Sequence, residues 1–417
     1  MNYVPLNKVY YKSKNDTQKY FDEYESRFNS PDTVKINFHI GEHQAFFMRN
    51  YEVMDLAFKI ARLDKKVGNL AQGLPGVARS QFSKKCMIDE IVVTNKIEGV
   101  HSSRKEISDV LETLEKQSGV KRAENRFKGL VNKYDKLMSR ENIKLEKCED
   151  IRNLYDELFL SEVTSDDPKN APDGKIFRKG PESVYGPTGK ELHRGIYPEE
   201  KIISCMQDAI TFLNDDSVEE LFRICVFHYL VEYIHPFYDG NGRMGRFIFS
   251  YCISKYLEPL LAYRISEVIK ENIKLYYDAF ELCNDFRSCG DVTPFLIMQL
   301  EMVYKSLIYL EDALSTLTER LEKYQQIIFS LPMAKENNMV NLYYLLVQAA
   351  LFSERGITAN ELSNCMNVSV LTVRRMVGKI PEIYLKKRKL GKAFYYELDL
   401  EQVDMLIFQL KNINRNC

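Results

Sequence analysis

Along most of the chain, apolar residues recur every three to four positions, the period of an amphipathic helix. Phe46, Phe47, Met54, Leu56, Ala57, Ile60 and Leu63 predict a helix over 44–66, and Gly68, Gly73, Pro75 and Gly76 a loop after it. Ser80–Ile97 reads as a second helix, stopped at Gly99. Ser103, with Glu106 three residues on, is a capping box that opens a third helix running to about Gln117. Further helices are expected near 123–139, 148–160, 199–214 and 218–233, then over Gly242–Tyr256, 267–286 and Thr293 to about Ser330. Leu221–Ile234 is apolar on nearly every side, as a central buried helix is.

Two segments depart from this rhythm. Lys175–Tyr197 is rich in Gly and Pro, and Ser183–Tyr185, a Gly-Pro-Thr-Gly turn and Lys190–His193 read as a small β-hairpin. A lone hairpin among helices has unpaired edges, which makes it a candidate docking strand. After Leu331-Pro332 the style changes. An apolar helix at Asn341–Phe352, a short helix Ala359–Cys365 capped by Thr358, a turn, a helix Val370–Ile380 and an alternating hairpin to Leu398 spell a winged helix-turn-helix. The expected class is mainly α. The expected division is an N-terminal helical region at 1–79, a helical core at 80–310, a connecting helix at 311–340 and the winged helix at 341–417. No internal repeat is present.

Composition narrows the classes. The 417 residues are 45% hydrophobic and 28% charged, ordinary values for a globular protein. Lys+Arg at 58 against Asp+Glu at 59 gives a net charge of −1, which excludes a surface that is everywhere a nucleic-acid or membrane magnet. The two most apolar stretches, Leu221–Ile234 and Phe295–Leu310, carry Arg223, His228 and Glu232 and Gln299, Glu301 and Lys305, so no membrane span is expected. The first residues lack the apolar core of a secretory signal, and nine scattered cysteines form no C-x-x-C pair. The expectation is a reducing, cytoplasmic setting.

The chemistry concentrates in residues 235–246, His-Pro-Phe-Tyr-Asp-Gly-Asn-Gly-Arg-Met-Gly-Arg, held between two core helices. Gly240, Asn241 and Gly242 let backbone N–H groups converge before a helix start, an anion nest backed by the helix dipole. Arg243 and Arg246, three apart on one helix face, add two guanidinium forks suited to phosphates. Asp239 is a hard oxygen ligand for Mg²⁺. His235 is the group that can take a proton near neutral pH. Together these describe nucleotide-dependent transfer to a hydroxyl. No GxxxxGK[ST] stretch exists, so a P-loop is excluded.

The segment resembles the Fic family signature HPFx(D/E)GNGRxxR, matching every defined position, and the resemblance extends over roughly residues 80–305. It implies a Fic-type helical core that transfers AMP from ATP and Mg²⁺ to a Tyr, Ser or Thr hydroxyl of a target protein, with self-modification possible. Carried over, His235 deprotonates the hydroxyl and Asp239 holds Mg²⁺. Gly240, Asn241 and Gly242 line the anion hole, Arg243 and Arg246 grip the phosphates, and Phe237 anchors the loop. Tyr277 and Asn284, two helical turns apart, would flank the adenine. The hairpin is similar to the family's flap, which aligns the target by strand addition, with Val184 and Tyr185 as its clamp. Thr94 and Glu98, four apart at the end of the 80–99 helix, resemble the inhibitory (S/T)xxxE(G/N) motif. There the Glu pairs with the second Arg of the signature, here Arg246. Relatives often dimerise, so a homodimer is possible. Two alternatives stay open: Glu98 orienting a water that removes AMP, and a DNA-binding regulator with a nucleotide-sensing core.

The C-terminal module carries a different signal. Residues 341–392 hold nine Lys and Arg against three Glu, a net of +6 in a chain whose total is −1. Arg374 and Arg375 fall on the second helix of the turn, and Lys386-Lys387-Arg388-Lys389 on the wing. That placement suits DNA phosphates as the partner.

Overall fold

The computed structural model describes residues 3–13, 16–115, 126–137, 142–185, 191–336, 338–390 and 393–413. In chain order the elements are α1 (Leu6–Lys12), α2 (Thr17–Phe28), β1 (Thr33–Ile40), β2 (His43–Met48), α3 (Tyr51–Gly73), α4 (Gly76–Ile97), α5 (Arg104–Glu115), α6 (Lys128–Leu137), α7 (Cys148–Tyr155) and α8 (Ser161–Asp166). They continue with β3 (Ser183–Tyr185), β4 (Glu191–Arg194), α9 (Glu199–Leu213), α10 (Glu220–Ile234), α11 (Asn241–Tyr256), α12 (Ile265–Glu271), α13 (Ile273–Asn284) and α14 (Thr293–Ile327). Then come α15 (Met339–Phe352), β5 (Ile357–Thr358), α16 (Ala359–Met366), α17 (Val370–Val377), β6 (Leu385–Leu390), β7 (Ala393–Leu398) and α18 (Leu400–Ile413). The fold is mainly α with small antiparallel sheets. Among the described residues no helix is long and apolar enough to cross a membrane.

The chain forms two compact units, one of residues 1–65 and 87–310, the other of 66–86 and 311–417. In the first, α10 is the central helix, burying twelve of its fifteen residues between α9 and α11. Neighbouring elements cover most of its surface, which is why its sequence shows no broad polar face. The β3–β4 hairpin pairs Ser183 with Arg194 and Val184 with His193. The turn expected at 186–189 lies outside the described residues.

The N-terminal region is not wholly helical. Val34, Ile36, Phe38 and Ile40 alternate into the core along β1, turn at Gly41 with φ 61°, and pair back through Phe46 and Phe47 on β2. The helix expected from residue 44 starts at Tyr51, because Phe46 and Phe47 are strand residues buried on both faces of the ribbon. The loop expected over 68–76 is also corrected. α3 runs through Gly68 to Gly73 and α4 starts at Gly76, leaving only Leu74 and Pro75 between them. A helical glycine costs ~1 kcal/mol, and fully buried Val67 and Ala71 on the same helix offset it. The 148–160 helix contains a π-helical turn, Asp156–Leu160, and 267–286 breaks at Asn272 into α12 and α13.

In the second unit, Phe82 meets Phe352 edge-on with centroids 6.3 Å apart, and Lys66 pairs with Glu311 at 2.7 Å. Thr358 and Glu361 close a reciprocal cap on α16. The α16–α17 pair is followed by the β6–β7 hairpin, and β5 adds a third strand in the order β5-β7-β6.

Candidate active site

The loop joining α10 to α11 is built around two left-handed residues. His235 ends α10 at φ 53°, ψ 63°, and Gly240 precedes α11 at φ 82°. A non-glycine residue in that region is uncommon and is held by its surroundings. Between the two, Asn241 folds its amide back. Its Oδ1 accepts from Phe237 N at 2.9 Å and its Nδ2 donates to Phe237 O at 2.8 Å. The Phe237 ring lies flat on Tyr155, 3.6 Å between centroids and 9° between planes. Tyr155 Oη then donates to Asp239 O at 3.1 Å. Phe237 is thus packed in place by Tyr155, and Asn241 latches the loop onto it.

Arg246 is buried and fully engaged on the end of α4. Its Nη1 meets Glu98 Oε1 at 2.7 Å, its Nε donates to Thr94 Oγ1 at 2.9 Å and its Nη2 to Thr94 O at 3.1 Å. Burial works against the guanidinium's charge, and Glu98, Tyr276 and Glu232 more than restore it, so its pKa stands above the ordinary value. The Glu98 carboxylate rests against Gly242, where a Cβ would run into it. Gly242, Arg246 and Glu98 therefore meet at one point.

Arg243 does not share this surface. Its Nη1 donates to both oxygens of Glu162 on α8 at 2.7 Å, with both side chains 1% exposed, and its guanidinium lies 5.2 Å from the Phe159 ring. Burial raises the Glu162 pKa and Arg243 opposes it. Three residues of spacing turn the two arginines toward different partners, so the single two-fork face expected from sequence is not formed. Arg243 holds α11 to α8 through a buried pair.

A cleft of about 630 Å³ is walled by Glu98, Val184, His235, Gly242, Arg246, Tyr277 and Asn284, which brings seven expected residues together. His193, Glu232 and Tyr276 complete much of the wall. Asp239, Gly240 and Asn241 follow on the same loop outside that lining, Thr94 sits behind Arg246, and the side chain of Tyr185 lies outside the described residues. Asn284 Oδ1 accepts from Tyr229 Oη at 2.7 Å. A second cleft of about 1170 Å³ shares His193, Tyr233 and Asn284 and is walled by Gly41–His43 of the β1–β2 turn and by Phe286.

Burial, aided by Arg178 and His193, pushes His235 down to about 3, so its ring is the neutral, proton-accepting form at physiological pH. Glu232, one turn before it on α10, is pushed up to about 8 by burial, with Arg246 opposing and Glu98 adding. Gly245 leaves the room for that carboxylate.

Four positioning roles escaped the sequence reading, those of Tyr155, Glu162, Arg178 and Glu199, although Phe177-Arg178 lies within the segment read as flap-like. Arg178, fully buried, donates to His235 O at 2.9 Å, to Ile196 O at 3.0 Å and to Gly180 O. Glu199, at the start of α9, accepts from the backbone N–H groups of Lys175, Ile176 and Phe177 at 3.0, 2.7 and 3.0 Å. Arg178 clamps the foot of the hairpin to the loop at His235, and Glu199 clamps it to the start of α9. Their only sequence signal is a lone charge beside a Gly/Pro-rich stretch.

Residues 145–253 match the profile of the Fic/DOC family. Protein adenylyltransferase fic-1 of Caenorhabditis elegans is 27% identical over 100 residues, 23% of this chain and 18% of that protein, so the likeness spans under a fifth of the relative's length. A crystal structure of a Fic family protein from Desulfovibrio desulfuricans G20 shares the fold at a TM-score of 0.51 and 19% identity, over 84% of this chain and 96% of that one. With the signature loop of residues 235–246 inside the matched segment, the central part of this chain matches the Fic/DOC family over residues 145–253.

Proposed function

We propose that the chain is a self-inhibited protein adenylyltransferase. The single observation that carries this is the convergence of His235, Gly242 and Arg246 on one cleft, with Glu98 on Arg246. A target hydroxyl loses its proton to the neutral His235 ring while its oxygen attacks the α-phosphorus of ATP. The bond to the β-phosphate oxygen breaks, pyrophosphate leaves, and AMP remains as a phosphodiester on the target. Gly242 N–H at the start of α11 receives charge on the phosphate, and Tyr277 and Asn284 flank the adenine. The flap edge takes up the target as an added strand, and the second cleft beside His193 accommodates the chain that follows.

Among the described residues there is no cluster of three metal-ligating side chains. One carboxylate, Asp239, on the phosphate loop fits an Mg²⁺ that travels with the nucleotide, which uses one or two carboxylates plus phosphate oxygens. Bound there, the ion would neutralise charge on the triphosphate. Glu98 restrains the reaction by holding the guanidinium that the γ-phosphate needs.

The test is incubation of wild type and Glu98→Gly with Mg²⁺ and ATP labelled at the α-phosphate, followed by mass spectrometry of the products. AMP on protein, increased in Glu98→Gly, supports the reading. Label lost from a modified target with wild type and retained with Glu98→Gly would make the protein an AMP-removing hydrolase.

A further inference from the structure

The C-terminal unit has a surface that the transfer reaction does not use. On α17, Val373, Met376 and Val377 face inward, while Leu371, Arg374 and Arg375 are exposed, Leu371 at 65%. On β6, Lys386 to Lys389 are exposed in succession. Not all of these cations are free. Lys379 pairs with Glu336 at 2.5 Å, Lys386 with Asp399 at 3.4 Å and Arg388 with Glu397 at 2.6 Å. Among the described residues, Arg374, Arg375, Lys387 and Lys389 have no acidic partner. Lys387 instead lies 4.3 Å from the centre of the exposed Phe394 ring on β7.

Charges on an edge strand also serve to prevent strand-to-strand aggregation, and β6 is an edge. That purpose accounts for a lysine or two on β6. It does not account for two unpaired arginines on α17, the second helix of a helix-turn-helix. In that motif the N-terminal residues of the second helix meet base edges and flanking cations meet phosphates.

We propose that the exposed face of α17 and the β6 strand bind duplex DNA. Arg374, Arg375, Lys387 and Lys389 contact phosphates. Leu371, an apolar side chain near the start of α17, meets the methyl group of thymine in the major groove. This surface is separate from the transfer chemistry and does not depend on it.

The full chain, as wild type and as His235→Ala, is titrated with a labelled mixed-sequence duplex over a range of salt. Four phosphate contacts give a log–log salt slope of about −3 to −4, the same for both proteins. Arg374→Ala with Arg375→Ala flattens the slope by about 2, whereas Lys379→Ala, whose cation is already paired, leaves it unchanged. Leu371→Ala keeps the slope and narrows the affinity gap between duplexes differing in A·T content. Leu371, Arg374, Arg375 and Lys379 are exposed, and an unchanged melting temperature of each variant confirms folding. Absence of binding at low salt, a slope indifferent to the double arginine change, or tighter binding of an acidic polypeptide than of duplex would overturn the proposal. The last result would reassign the face to a protein partner.

Discussion

Glu98 Oε1 lies 2.7 Å from Arg246 Nη1 and fills the space beside Gly242 where a larger residue's Cβ would stand. One carboxylate thus occupies both the Arg246 guanidinium and the space in front of Gly242. Removing it opens both together.

Glu98→Gly is therefore expected to raise AMP transfer. A charge-assisted pair of about 1.5–3 kcal/mol converts to about 10–150-fold in productive occupancy. Adding Arg246→Ala removes the gain, and the two changes are strongly non-additive. Initial rates of the single and double variants check this, with equal rates for wild type and Glu98→Gly as the contrary outcome.

His235→Ala is expected to lower transfer by about 10²–10⁴ while ATP affinity stays within a factor of about two, as the ring takes the proton and does not hold the phosphates. Calorimetric titration beside a turnover assay separates the two quantities.

Asp239→Ala is expected to lose activity that excess ATP does not restore, because in the proposed reaction magnesium would both place and neutralise the triphosphate. Chelation of Mg²⁺ in wild type should reproduce the loss. Undiminished labelling in excess EDTA contradicts it.

The Glu232 carboxyl is held up near 8, above its ordinary 4.5. Between these values the folded protein keeps a proton that the unfolded chain releases. Stability owed to this group is present below about pH 4.5 and is lost as pH rises through 8. Melting temperatures of wild type and Glu232→Gln compared across pH 4.5 to 9 should diverge upward, with wild type falling behind. Parallel curves would show that the carboxyl titrates normally.

Asn241→Ala leaves the N–H and C=O of Phe237 buried without partners, at about 1–3 kcal/mol each. Both melting temperature and transfer rate should fall, whereas Asn241→Asp, which keeps the acceptor, should recover part of the stability. Retained stability in Asn241→Ala would mean the Tyr155–Phe237 stack holds the loop unaided.

The loop of residues 235–246 was legible as a turn between helices because its cues are local: a left-handed glycine at Gly240 and a helix start at Asn241. Arg243 was misread because spacing along one helix tells which side a residue is on and not what waits there. Glu162 is 81 residues away, on a helix reached through a π-helical turn. Arg178 and Glu199 were invisible for the same reason, since their partners are backbone atoms, which carry no sequence signal. The β1–β2 ribbon was legible in principle from the alternation at Val34, Ile36, Phe38 and Ile40. The helical spacing that follows Tyr51 was extended backward over Phe46 and Phe47, which fit both periods.

The flap is fastened at its foot, by Arg178 and Glu199 gripping main-chain atoms. Side chains on its strands, such as Val184 and Arg194, take no part in either clamp. Under the proposed function, target preference can drift by substitution at such positions while both clamps stay intact. A lineage carrying this domain can change what it modifies without relearning how to modify it, and an engineer can graft a new reading edge onto the same foot.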